Sequence, residues 1–152
     1  MTSAVRDTVL EYLAAHTVMT LATTGADGVW AAAVFYVNEG FACYFLSSPQ
    51  SRHGRHLVDD PRVAATVQGQ DDDWRTIRGV QMEGAVTRLA GADKDRAFAL
   101  YGGKFPQVGD VARRPIEIAA ALGRVSWYRL SPDRVYFVDN TKGFGHRDEV
   151  EL

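Results

Sequence analysis

Cysteine, long apolar runs and net positive charge are all scarce in this sequence, and each scarcity removes a class of protein. The one cysteine, Cys43, rules out a disulfide framework within the chain and, lying in an apolar run, reads as a small core residue. No uninterrupted apolar stretch approaches the roughly 20 residues that a membrane helix needs, and no charged-then-apolar leader opens the chain, so a cytoplasmic protein with no membrane partner is expected. Lys and Arg number 17 against 19 Asp and Glu, a formal net charge of −2. Non-specific nucleic-acid binding depends on an excess of cations that displace counterions. No nucleic-acid partner is therefore expected, and only a local basic patch remains open. A Ser-His-Asp set, a motif of paired carboxylates and a reactive-cysteine context are also missing.

What is present is ordinary globular composition, 46% hydrophobic and 24% charged over 152 residues. A chain of that length buries about two-thirds of its unfolded surface and stands without staples, so one domain over 1–152 is expected.

The segment order reads as mainly β. Residues 3–15 place Val5, Val9, Leu10, Tyr12 and Leu13 on one helical stripe, with Ser3 as a plausible cap. "TVMTLATT" and "GVWAAAVFYV" flank the turn "GADG", a hairpin signal. The second of these is apolar without a break, which predicts cover on both faces. "FACYFLS" is a third strand and "RVAATVQGQ" a fourth. The long "WRTIRGVQMEGAVTRLA" puts Val80, Met82, Gly84 and Val86 on one face and Gln81 on the other. Helical segments "ADKDRAFALYGG" and "RPIEIAAALG" follow, split by "KFPQVGD". Strands "VSWYRL" and "RVYFVDN", joined by a turn at "SPD", precede the tail "TKGFGHRDEVEL". About seven short antiparallel strands with tight turns predict an α+β, mainly β fold: a closed antiparallel barrel with an N-terminal helix and short inserted helices.

One stretch concentrates positive charge. In "FLSSPQSRHGRHLVDDP", Ser47 with Gln50 fits capping-box spacing and Pro49 suits a first helical turn, so a helix should start near residue 49. Arg52, Arg55 and His56 then share an arc with His53 at its edge, while Gly54, Leu57 and Val58 point to the core. Free N–H groups, two serines and guanidinium groups are the equipment of a phosphate site. The alternative is a solvated helix face, which Asp59 and Asp60 would neutralise. His53 and His56 have a spacing that reaches one metal ion, but no third ligand is locally placed, and no metal is expected.

The order of "WAAAVFYV", "SRH", "VQGQ", "IRGVQMEG", "GGKFP" and "VYFVDNTKGFGHR" resembles the FMN-binding split-barrel superfamily that includes pyridoxamine 5′-phosphate oxidase, and within it the YhbP-like branch. The resemblance covers nearly the whole chain. It implies a split β-barrel, a homodimer with FMN sites at the subunit interface, and a small-molecule substrate. Carried over position by position, it runs Ala31, Ala32, Ala33, Val34, Phe35 and Tyr36 along the flavin ring. It sets Leu46 and Ser47 beside the ribityl phosphate, and Ser51, Arg52 and His53 on that phosphate. Arg78, a charge read as mid-strand, either faces solvent or meets an anion. Gln81 would replace a flavin-contacting glutamine that the family has at the position of Gly79. The resemblance folds His146 and Arg147 over the active site, against a frayed terminus as the alternative. Lys104 and Phe105 would line the same cleft.

Three departures bear on function. His53 stands for a lysine, which makes the seat's charge depend on pH. Gly79 stands for the glutamine. Tyr36 stands for the lysine that holds the oxidase's substrate phosphate, and 101–122 lacks that enzyme's substrate-binding Tyr, Arg and Ser. FMN binding survives these departures, and oxidation of pyridoxamine phosphate does not. The expected activity is an FMN-dependent oxidoreductase that takes hydride from a reduced nicotinamide, with no assigned catalytic residue because the flavin carries the chemistry. The alternatives are an F420-binding reductase and a non-catalytic binder of flavin or haem, the latter through His53, His56 or His146. Trp30, Trp74 and Trp127 read as core or interface residues.

Overall fold

The computed structural model describes residues 2–152, apart from the side chains of Thr2 and Arg113. Alternating apolar residues make the strands. Helix α1 (Thr2–Ala15) leads into β1 (Val18–Gly25), β2 (Gly28–Glu39) and β3 (Ala42–Ser47); α2 (Arg52–Asp59) separates these from β4 (Arg62–Gln68) and β5 (Arg78–Arg88). Helices α3 (Gly91–Lys104), α4 (Pro106–Gly109) and α5 (Ile116–Leu122) precede β6 (Ser126–Asp139) and β7 (Arg147–Val150). The strand order is β3-β2-β1-β4-β5-β6-β7, and β3 also pairs with β6, which closes the first six into an antiparallel barrel.

The period-2 faces fill that barrel. Met19 and Leu21, Val34 and Tyr36, Cys43 and Phe45, Val63 to Val67, and Val80 and Met82 pack with Val135 and Phe137, while Val9 and Leu13 of α1 plug the end. A second cluster joins Val37, Tyr44 and Trp127 to Ala97, Tyr101 and Phe105 of the α3 region.

Three expectations change, and one alternative falls. Ser3 lies inside α1, which already begins at Thr2. "VSWYRL" and "RVYFVDN" are one strand, β6, because β5 shifts register between Glu83 and Gly84 and lets Pro132 pair with Gly84. A Cβ at Gly84 would lie 2.3 Å from the Ser131 carbonyl oxygen, so glycine makes room for this irregularity. The tail is not frayed: β7 pairs with β6 from Val135 to Val138. Finally, the chain leaves the first half of β2 largely uncovered, with Gly28 and Trp30 exposed on one face. Val29 and Phe35 are 75% and 56% exposed, and Ala31 and Ala33 between them are exposed too.

Candidate functional site

The end of β3 and the start of α2 form the site. Ser51, rather than Ser47, caps the helix: its Oγ accepts from the Gly54 N–H at 3.1 Å and donates to the Ser48 carbonyl at 2.6 Å. The helix therefore begins at Arg52, three residues later than the spacing of Ser47 and Gln50 predicts. Ser47 remains in β3, where its buried hydroxyl lies 2.8 Å from His53 Nε2. Ser51 Oγ is 3.4 Å from the same nitrogen. Two hydroxyls, an imidazole and the first turn of α2 thus converge. Burial, then the charge of His56, pushes His53 below the ordinary histidine range.

Arg52 completes the group from the side. Its Nη2 donates to the Asp27 carbonyl at 2.9 Å, and its Nε lies 3.2 Å from Asp27 Oδ2, within ion-pair reach but not aligned as a hydrogen bond. The guanidinium rests 4.4 Å above the Trp30 ring.

His56 is the largest departure in this stretch. Instead of sharing a solvated arc with Arg52, its side chain is 5% exposed. Nε2 donates to Asp27 Oδ1 at 2.5 Å, and the Thr23 hydroxyl lies 2.8 Å from Nδ1. Gly25 makes this possible, since a Cβ there would come 2.3 Å from His56 Cδ2. Val58, expected inside, is 77% exposed. Asp59 and Asp60 do not neutralise the basic stretch; Asp60 instead accepts from Thr24 and the Arg62 N–H. The carboxylate beside Arg52 is Asp27, held below the usual carboxylate range first by the His56 hydrogen bond. Asp27 escapes sequence reading because "GADG" registers only as a turn, and Thr23 because "TVMTLATT" registers only as a strand. Their partners lie 29 and 33 residues away.

Strand β2 provides the neighbouring surface. Tyr36 N–H donates to the Thr17 carbonyl. The alternation of an antiparallel ladder then turns the N–H and C=O groups of Val29, Ala31, Ala33 and Phe35 toward the other edge. There β3 pairs only with Tyr36–Glu39, so the strand keeps an edge free of strand partners beside an apolar face of small side chains. Ala32 is half-buried, and Val34 and Tyr36 belong to the core. Tyr36 donates its hydroxyl to the Leu13 carbonyl at 2.6 Å, and burial holds that phenol well above its ordinary range.

Phe35, Leu46 and Phe105 meet at an apolar pocket of about 170 Å³, with Tyr101, Val108 and Leu122 as further walls. Lys104 turns elsewhere: it donates to the His16 carbonyl and sits 4.3 Å over the Tyr36 ring, and partial burial lowers its pKa.

The remaining candidates are not brought to the seat. Arg78 begins β5 rather than lying mid-strand, and its Nε is 3.5 Å from Asp139. It stands at the Gln68 end of the β4–β5 ladder, opposite the Arg62 end. Gln81 is exposed and pairs with Thr66 and Tyr136. His146 pairs with Asp148 at 3.1 Å, and Arg147 covers the Tyr136 ring at 4.6 Å. Of the tryptophans, Trp127 is buried, whereas Trp30 and Trp74 are largely exposed. Among the described residues no group of His, Cys, Asp and Glu gathers to hold a metal ion, and no helix is long and apolar enough to cross a membrane.

A closed antiparallel barrel is the fold expected from the sequence, and a family model described as pyridoxamine 5′-phosphate oxidase matches residues 5–139. The chain belongs to that family. A UPF0306 protein of Klebsiella pneumoniae (strain 342) is 34% identical over 90% of this chain and 86% of its own length. The UPF0306 protein YhbP of Escherichia coli O157:H7 is 33% identical, again over 90% of this chain and 86% of its own. These two bear out the YhbP-like resemblance. Among solved structures, a haem-binding protein from Mycobacterium smegmatis superposes with a TM-score of 0.71 at 25% identity. The match covers 91% of this chain and 55% of that longer protein.

Proposed function

We propose that this family member is an FMN-binding homodimer that acts as an oxidoreductase on a small, unphosphorylated molecule. The observation that carries the reading is the convergence of Ser47, Ser51, Arg52 and His53 at the first turn of α2, next to the open edge and apolar face of β2. The donors suit a phosphate, and the free main-chain groups of β2 suit the polar rim of a flavin. FMN, when bound, would supply reversible hydride chemistry that no side-chain set in this chain provides. The residues' part is to bind and orient: Arg52 and Ser47 on the phosphate, Ser51 shaping the first turn of α2 around it, and Ala31 and Ala33 leaving room beside the strand.

Two further features support this reading. The uncovered face of Val29, Ala31, Ala33 and Phe35 continues onto Val18 of β1, which pairs with Phe35, and a second copy would bury it. Among the described residues, the pocket beside Phe35 is walled by rings, aliphatic groups and Gln107 with no cation, and Lys104 is engaged elsewhere. Pyridoxamine phosphate is therefore not the expected substrate.

The visible absorption spectrum of the purified protein tests the cofactor, and sedimentation tests the dimer. A flavin band, or one gained on adding FMN, supports the reading, as does a dimer; protein that takes up no FMN, or stays monomeric with it, removes it. Haem is the second reading, favoured by the Mycobacterium smegmatis similarity and by a His146 side chain that is 38% exposed. A Soret band lost in His146→Ala, without flavin uptake, would replace the first reading with this one.

A further inference from the structure

The seat contains a feature that an ordinary phosphate site would avoid. Asp27 presents both its carboxylate and its carbonyl to Arg52, on the guanidinium edge formed by Nε and Nη2. That is the edge best shaped for a bidentate oxyanion. The carboxylate is not a loose surface group that happens to lie nearby. His56 holds its other oxygen at 2.5 Å, Thr23 lies 2.8 Å behind His56, and Gly25 leaves the space that the imidazole fills. Trp30 covers the guanidinium face. Arg52 Nε is itself buried, but the side chains of Arg52 and Asp27 as a whole are 30% and 53% exposed, so a ligand can reach the rest of the guanidinium and the carboxylate.

We propose that Asp27 is a selectivity residue of this site: an anchored internal carboxylate that competes with a ligand's phosphate for Arg52. The inference rests on the anion-seat reading above. A phosphate must either take the remaining Nη1 end of Arg52 or displace the carboxylate, and in both cases it meets a fixed negative charge. A phosphate alone is therefore held weakly. A ligand that also contacts β2 adds enough to bind, so the site favours a phosphate carried on a large planar group over inorganic phosphate and small phosphate esters. Asp27 acts through Arg52 and is a positioning and selecting residue, not a catalytic one.

The sign of one substitution separates this role from a merely structural one. Dissociation constants of the full-length protein are measured for FMN, for riboflavin, which lacks the phosphate, and for inorganic phosphate. Asp27→Asn keeps the size of the side chain and removes its charge. FMN and inorganic phosphate should each bind about tenfold tighter, with riboflavin unchanged. In an Arg52→Ala background the gain should vanish, since the competition runs through that guanidinium. Asp27→Glu should stay near the original affinities. FMN or phosphate binding that is unchanged or weakened in Asp27→Asn overturns the proposal, as does a gain that persists without Arg52. If neither protein binds FMN, the flavin reading fails, and inorganic phosphate alone decides the competition; no phosphate binding to either protein also overturns it. Should Asp27→Asn fail to fold, the Asp27 carboxyl carbon signal of the unaltered protein is followed by NMR during phosphate titration. Competition shifts that signal, and a signal that stays in place at saturating phosphate rules competition out.

Discussion

The two ends of this barrel arrange the same residue types differently. At the tip of the β1–β2 hairpin, a histidine, an aspartate and an arginine form one connected unit: His56 is buried between Thr23 and Asp27, and Asp27 meets Arg52. At the other end Arg78 meets Asp139, while His146 and Lys142 share Asp148, with His146, Lys142 and Arg78 all partly exposed. The first group is linked through a buried imidazole. The second is a set of separate pairs: Asp148 meets His146 and Lys142 where water competes, while the buried Asp139 faces Arg78 without a buried imidazole to link it onward. Identity of side chain thus says little about what a charged cluster does, whereas burial and anchoring say a great deal.

Substitutions at the two ends should separate them, and the largest difference is expected at glycines. Gly25→Ala drives a methyl group into the His56 ring and should cost about 2–3 kcal/mol of stability, read as a lower urea midpoint. Gly145→Ala meets no neighbour and only strains a backbone at φ 72°, for about 1 kcal/mol. Equal losses would put the two ends on the same footing.

Histidine removal comes next. His56→Ala leaves Thr23 and Asp27 without their partner and should destabilise by about 2 kcal/mol. His146→Ala should change stability by less than about 0.5 kcal/mol. Chemical denaturation of both variants checks the ratio, and a larger loss at His146 would reverse the comparison. Ligand binding gives a smaller contrast: Arg78→Ala should alter FMN affinity less than about twofold, because its charge is spent on Asp139 at the far end. A tenfold loss in that variant would place Arg78 at the phosphate, as a neighbouring subunit could do.

The smallest expected effect concerns protons. Burial lowers the pKa of His53 below 6.5, so the unfolded chain binds the proton more readily than the folded one. Stability from this residue is then present above pH 6.5 and declines as pH falls through the folded-state pKa. His53→Gln should flatten that decline in unfolding measured from pH 8 to pH 5. A phosphate beside His53 acts with the opposite sign, favouring the charged ring. FMN binding near neutral pH should accordingly take up protons, a quantity read from binding heats in buffers of different ionisation enthalpy. Proton release on binding would contradict the placement of phosphate next to His53.

Much of the fold was legible because its causes are local. Alternation marks Val63–Val67 and Val80–Val86, and the glycines of "GADG" mark the hairpin. Where the reading failed, a distant partner decided. "SPD" is a fair turn by composition, but Gly84 on the facing strand accommodates Pro132 within β6. Ser47 and Gln50 have the spacing of a cap, yet Ser47 is held in β3 by pairing with Ser126, which passes the cap to Ser51. The helical arc grouped His56 with Arg52, and only the packing of α2 on β1 shows that His56 turns inward. The cluster of Ser47, Ser51, Arg52 and His53 was legible as residues. Its opposing carboxylate was not, because Asp27 reaches Arg52 across 25 residues.

The turn from β3 into α2 is expected to hold a flavin by its phosphate. Titrating the protein and its Arg52→Ala variant with FMN and with riboflavin tests it directly. FMN should bind at least about tenfold tighter than riboflavin, and Arg52→Ala should erase most of that margin. Equal affinity of the unaltered protein for both, or a preference for FMN that survives without Arg52, would contradict it.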